Sequence, residues 1–396
     1  MSAPFETLVE RAARDYTERF HEKPVWFVSA PGRVNLIGEH TDYNAGFVFP
    51  MAIEKRTVIA AGPRKGNTKS ALIRSEIFNE EAEFSIGTKI EPFPSVDWRS
   101  YVGGTIACCR EKGLVPKPFQ AAILSDVPLG GGLSSSASLE VAVSTLLEAV
   151  TGTAIDPVEK ALLCQKAEHE YAMMPCGIMD QFISAMAVKD HAMLLDCRNN
   201  QWSAVPLDDP DIVVLVTNSN VKHTLSGSEY PERRADCAKG AELLGVPFLR
   251  DAALADLEKA RPLFEKLENG SRTFRRVRHF LTESVRVDAF AQALNERNWV
   301  LAGKLMIEGH LSMKDDFEAT CLETDKLVEI AEKIGPDGGI YGARQTGGGF
   351  GGCVVSLVLK EKAVELADQI KAEYIAATGI EPVSFVTRPA EGAKIL

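Results

Sequence analysis

The stretch Gly130-Gly131-Gly132-Leu133-Ser134-Ser135-Ser136-Ala137-Ser138 constrains this chain more than any other part of it. It lies between a β-prone run at Phe119–Ser125 and a segment from Ser135 to Val150. In that segment Leu139, Val143, Leu146 and Val150 recur at helical spacing, and Gly152 is placed to end it. A strand, a glycine turn and a helix in that order present backbone amides with no side chain in the way, at the positive end of a helix dipole. That is a phosphate cradle, with Gly130, Gly131, Gly132, Leu133, Ser134, Ser135 and Ser136 as its candidate members. The serine hydroxyls can cap the helix, bond a phosphate or ligate a divalent cation. The alternative is a flexible linker, but linkers do not run straight into an amphipathic helix. No G-x-x-x-x-G-K-[ST] occurs, so this is not a Walker P-loop.

At 396 residues the chain is long for one core and comfortable for two domains. Strands are expected at Val25–Ser29, Phe47–Ile53, Thr57–Ala61, Phe119–Ser125, Ala192–Asp196, Ile212–Thr217, Cys353–Leu359 and Val383–Thr387. A second helix opens at Asp156-Pro157-Val158-Glu159, a cap, an N1 proline and an N3 acid, and runs to Tyr171. The region from Pro231 to Ile334 reads as almost wholly helical. The character of the chain changes near Pro206–Pro210, giving an expected α+β organisation with domains at 1–208 and 209–396. A net charge of −11 argues against nucleic acid or an anionic membrane as partner. No apolar run approaches a membrane span, and the acidic N-terminus has no signal-peptide core. The eight cysteines, including the adjacent Cys108 and Cys109, are expected as reduced thiols. The expectation is a cytoplasmic monomer.

Three further segments carry chemistry. Pro31–Asn44 packs Arg33, Glu39, His40 and Asp42 behind a strand, a set of donors and acceptors suited to sugar hydroxyls, with a fixed positive charge for an oxyanion or phosphoryl oxygen. A salt-bridged surface loop is the alternative. Thr346–Val354 satisfies G-x-G-x-x-G literally, but a strand follows where a dinucleotide fold needs a helix. What remains there is backbone that must approach something closely, or a tight turn between packed elements. In Met174–Gln181, Asp180 is the only acid between Glu170 and Asp190, either a helix N-cap or a catalytic base. Arg272, Arg275, Arg276 and His279 share one face of a predicted helix and read as a solvated basic face. In Glu168-His169-Glu170, helix geometry favours Glu168 over His169 as a ligand.

The segments Pro31–Asp42, Gly130–Ser138 and Thr346–Gly352 resemble the three signature motifs of the GHMP kinases, and Gly32–Asn44 resembles the signature of their galactose-phosphorylating branch. The likeness runs from about Val28 to Lys394 and includes Met174–Gln181 and Ser228–Pro231. It implies an N-terminal domain related to ribosomal protein S5 domain 2, a ferredoxin-like C-terminal domain, and an active site between them. It implies ATP and Mg2+ as cofactors and galactose as the small-molecule acceptor, phosphorylated at its anomeric hydroxyl. Position by position, Arg33, Glu39, His40, Asp42, Gly177, Asp180 and Tyr230 would line the sugar site. The 130–136 segment would hold the triphosphate, Ser136 and Glu168 would ligate magnesium, and Asp180 would be the base with Arg33 beside it. Kinases for N-acetylgalactosamine or arabinose are the near rivals, and a non-catalytic galactose sensor the distant one. The intact Ser134-Ser135-Ser136-Ala137 favours an enzyme.

Overall fold

The structure is a computed structural model that describes residues 5–222 and 229–396, without the side chains of 222–230. In the N-terminal half, helix α1 (Phe5–Phe20) precedes strands β1 (Trp26–Asn35), β2 (Phe47–Val48), β3 (Pro50–Pro63), β4 (Ser70–Ser75) and β5 (Glu80–Ser85). Helix α2 (Trp98–Glu111), strand β6 (Phe119–Ser125), helices α3 (Ser135–Thr151), α4 (Pro157–Tyr171) and α5 (Met179–Met186), and strands β7 (His191–Asp196) and β8 (Gln201–Pro206) follow. The C-terminal half begins with β9 (Ile212–Lys222) and continues through five helices: α6 (Glu229–Leu244), α7 (Leu254–Phe264), α8 (Gly270–Asn295), α9 (Trp299–Ser312) and α10 (Leu322–Gly338). The hairpin β10 (Ile340–Thr346) and β11 (Gly351–Leu359), helix α11 (Ala363–Thr378), and strands β12 (Val383–Thr387) and β13 (Lys394–Ile395) complete it.

The sheets assort by half. The first has the order β13-β1-β3-β6-β4-β5, the second β10-β11-β9-β12, and a small third β2-β7-β8. The last strand therefore returns to pair with β1, so that the C-terminal end is stitched into the N-terminal sheet. Helices α2, α3 and α4 bury Val102, Ile106, Val141, Leu146 and Leu163 against β1, β3, β4 and β6. A second core is shared by both halves. Val34, Ile37, Phe49 and Met51 pack with Val287, Phe290 and Leu294 of α8 and with Val355 and Leu357 of β11. Each such fully buried side chain contributes about 1.5–3 kcal/mol. The walls of the cleft between the halves thus stand on one common apolar block.

The helix starts follow their local chemistry. Asp156 caps α4 by accepting from the amides of Val158 and Glu159, with Pro157 in the first turn, as the sequence predicts. Gly152 ends α3 in the left-handed conformation, φ +71°. Helix α10 breaks at Gly335, where φ is +62° and ψ −176°. The expected strands at Phe47–Ile53 and Thr57–Ala61 become the short β2 and one long β3. The solvated basic face is corrected. Arg276 and His279 are fully buried, because α8 is covered by α6, α7 and the turn at Met313–Phe317. Arg272 pairs with Asp236, and Arg275 and Arg276 both pair with Glu318.

Candidate active site

Arg33 sits near the end of β1, where a register irregularity between Pro31 and Arg33 turns its side chain into the cleft. Its Nε and Nη2 donate to the two carboxylate oxygens of Asp180, each at 2.8 Å, and its Nη1 donates to the carbonyl of Gly132 at 2.5 Å. One guanidinium thus joins three of the four segments singled out by sequence. Asp180 is the second residue of α5, with Ile178 at the cap position, so the N-cap alternative is replaced by a bidentate ion pair. Ser134 also donates its hydroxyl to Asp180, from a left-handed backbone (φ +57°) at the start of α3.

The loop after β1 forms the wall that the sequence expects to line the sugar site. Glu39 and His40 are buried, and Asp42 opens a single 3-10 turn that ends at Asn44. Burial pushes the Glu39 carboxyl up to about 7, against the pull of Arg344 beside it at 2.8 Å. Burial, helped by His279, pushes His40 down to about 3, so the ring is neutral, with Nδ1 2.9 Å from the Tyr43 hydroxyl. Burial and the nearby Asp180 raise Asp42 to about 6. Asp42 packs directly on Gly177, where an added Cβ would lie 1.6 Å from its Oδ2. Only glycine fits there. Tyr230 lies outside the described residues as far as its side chain is concerned.

The glycine segments meet backbone to backbone. A Cβ on Gly347 would lie 2.7 Å from the Gly132 carbonyl, and one on Gly352 would lie 3.0 Å from the Gly131 carbonyl. The turn of the β10–β11 hairpin therefore backs the 130–132 loop, which combines both readings of Thr346–Val354, a tight turn and a close approach. Leu133 turns its side chain into the shared core, leaving only its backbone at the loop, where its carbonyl accepts from the amide of Arg33. Gly130, Gly131, Gly132, Ser135 and Ser136 remain at the mouth of α3.

Glu168 is buried on α4, while its neighbour His169 is exposed and bonds the carbonyl of Cys176. Burial and Asp180 raise the Glu168 carboxyl to about 7, and the Ser136 hydroxyl is among the groups that hold it. Gln181 donates one amide nitrogen to Glu168 at 2.6 Å and to Glu140 at 3.1 Å, and Oε1 of Glu140 has no hydrogen-bond partner among the described residues. A hydroxyl and a carboxylate among crowded buried acids suit a hard cation that keeps waters and phosphate oxygens, so this donor set fits Mg2+. Sequence reasoning did not single out Gln181 and Glu140 individually, although Gln181 directly follows Asp180.

The cavity lined by Arg33, Glu39, His40, Asp42, Glu168, Gly177, Asp180 and Gly347–Gly349 has a volume of about 350 Å³. A larger cleft of about 600 Å³ lies at Arg56 and Arg388, away from these residues. There Arg56 is committed to the carbonyls of Glu391 and Gly392, and Arg388 to those of Asp209, Pro210 and Ile212. The chemistry belongs to the smaller cavity.

A phosphate-type glycine loop facing a carboxylate-guanidinium pair, on this pairing of sheets, defines a small-molecule kinase with the GHMP fold. The chain matches the GHMP kinase N-terminal domain over residues 100–187, the C-terminal domain over 290–376, and the galactokinase galactose-binding signature over 14–63. A solved mevalonate kinase shares the fold at a TM-score of 0.64 and 20% identity, with 91% of this chain and 98% of that one covered. The human galactokinase is 46% identical over 98% of this chain and 97% of its own length, and the Bos taurus galactokinase 43% over the same shares. The crystal structure of Lactococcus lactis galactokinase complexed with galactose superposes with a TM-score of 0.86 at 30% identity, covering 97% of this chain and 98% of that one. The chain belongs to the galactokinase family. Among the described residues no helix is long and apolar enough to cross a membrane.

Proposed function

We propose that this protein transfers the γ-phosphoryl group of ATP to the anomeric O1 of α-D-galactose, giving galactose 1-phosphate and ADP. The observation that carries this reading is Asp180, gripped by both arms of Arg33 where the sugar-lining wall meets the glycine loop. The chain's membership of the galactokinase family supports it. An anomeric hydroxyl is more acidic than an ordinary alcohol, because the ring oxygen withdraws electron density from C1. Asp180 takes its proton as O1 attacks the γ-phosphorus, a general-base step worth roughly 10²–10⁴-fold. Arg33 holds the carboxylate in place and lies where charge builds on the transferring group.

Glu39, His40, Asp42 and Gly177, with Tyr230, receive the sugar. The neutral His40 ring and the carboxyl groups offer the donors and acceptors that its hydroxyls need. Gly130–Ser136 receives the triphosphate on backbone amides. Ser136 and Glu168 would hold magnesium, which when bound neutralises phosphate charge. Gln181 fixes the orientation of Glu168. The division of labour follows a domain boundary near residue 208, with the C-terminal half closing the cleft through the Gly347–Gly349 turn. A cytoplasmic monomer fits the eight free thiols and the acidic surface. The test is ADP release from Mg·ATP with galactose, N-acetylgalactosamine, glucose, arabinose and mevalonate. Preferred turnover of galactose is the expected result. Galactose binding with no turnover of any of them would replace the enzyme with a sensor.

A further inference from the structure

Behind the sugar wall lies a charged cluster that does not line the cavity. Arg344 of β10 is fully buried. Its Nη2 is 2.8 Å from Glu39 Oε2, and its Nη1 donates to Glu283 Oε1 of α8 at 2.7 Å. The same Glu283 oxygen accepts from the Gly38 amide at 2.8 Å, and Glu283 is also paired with Arg286 at 2.8 Å. One turn earlier on α8, His279 Nε2 lies 3.1 Å from the Glu39 carbonyl. Gly38 itself has φ +89°, and a Cβ there would lie 2.7 Å from the Phe47 carbonyl, so the turn has one backbone path. Helix α9 makes room with Gly309, whose Cβ would lie 2.5 Å from Arg344 Nη1.

We infer that Arg344 and Glu283 are positioning residues for sugar recognition, holding the Gly38–Glu39 turn and the Glu39 carboxylate in the shape that galactose requires. This rests on reading the cavity as the galactose site. Two facts favour this role over packing alone. Burying two carboxylates and the Arg344 guanidinium carries a desolvation cost that an apolar cluster of similar size avoids, so stability does not call for them. Both residues also converge on a turn whose Glu39 side chain lines the cavity, from elements of the opposite half. Burial works against an ionised Glu39, and Arg344 is the largest influence opposing it. A sugar hydroxyl therefore meets a carboxyl group that Arg344 aims and whose ionised form it favours.

The test compares Arg344→Met, Arg344→Lys and Glu283→Gln with the wild type. Galactose binding is measured by calorimetry without nucleotide, KM for galactose and for ATP separately, and folding by thermal melting. The expected result for Arg344→Met is galactose affinity weakened about ten- to a hundredfold, as when an outer partner that orients a ligating group is lost, with KM for ATP nearly unchanged. Arg344→Lys should recover part of that loss. Glu283→Gln, which keeps an acceptor for Gly38, should show the same split at smaller size. If Arg344→Met does not fold, Glu283→Gln decides. Parallel shifts for both substrates, or unaltered galactose binding in a folded variant, would overturn the inference while leaving the kinase reading intact. Wild-type protein that neither binds nor phosphorylates galactose would overturn both.

Discussion

The two ends of the cleft are built from different materials. The end proposed to take the sugar is made of side chains already committed to one another. Arg33 grips Asp180, Arg344 holds Glu39, Asp42 is pressed onto Gly177, and His40 is bonded to Tyr43. The end proposed to take the triphosphate is made of backbone, with the Gly130–Gly132 loop resting on the glycines of the β10–β11 turn. The difference matches what each end must recognise. Galactose differs from glucose by the direction of one hydroxyl, so its site needs fixed, directional partners that cost free energy to bury and must be satisfied. A triphosphate is recognised by charge and shape, which amides at a helix start supply without any particular side chain. On the proposed assignment, selectivity depends on tertiary packing at one end, and phosphate binding on local conformation at the other.

The largest effect tests the joint between the ends. Asp180→Asn keeps the shape but not the base, and should lower kcat about 10²–10⁴-fold. Calorimetry should still detect both substrates, and a kcat within threefold of wild type would remove the base assignment. Next comes a matched pair of glycine substitutions. Gly177→Ala must displace Asp42, a strain of about 1–3 kcal/mol that should raise KM for galactose roughly ten- to a hundredfold and spare ATP. Gly352→Ala, at φ +81° and against the Gly131 carbonyl, should do the reverse. If the two variants shift the same substrate, the ends are not separate devices.

The smallest effect is on stability. Glu39 and Asp42 titrate in the folded chain at about 7 and about 6, above the ordinary carboxylate range. Between roughly pH 4.5 and 7 the folded state thus holds protons that the unfolded state has released, and their contribution to stability falls as pH rises through that window. Glu39→Gln removes one such proton site. Its melting temperature relative to wild type should therefore improve by a few degrees between about pH 5 and pH 8. A constant difference across that range would show that Glu39 is not perturbed by burial.

Local patterns were legible where local chemistry decides. Strand Phe119–Ser125, helix Ser135 to Gly152 and the Asp156–Pro157 cap stand in the structure where their residues indicate. Strands β4, β5, β8, β10 and β13 escaped notice, and two of them show why. The first, Glu80–Ser85, is an edge strand dense in acids, and the second, Ile340–Thr346, is buried on both faces yet carries Arg344 and Gln345 where apolar residues would be expected. The buried Arg276 and His279 misled for the same reason, since a charged side chain reads as solvated until its partner is known. That partner lies far along the chain: Glu318 for Arg276, and the Glu39 carbonyl for His279.

By itself the sequence determined the local conformations, because glycine freedom, helix capping and apolar spacing act over a few residues, and its motifs named the cavity's members. Only the tertiary structure decided which charges pair. The resemblance put Arg33 beside Asp180, but only the fold made that pair bidentate, turned Ser134 to Asp180 and brought Arg344 across to Glu39. The physical reason is that an ion pair depends on distance in space and on exclusion of water, and neither is a property of separation along the chain.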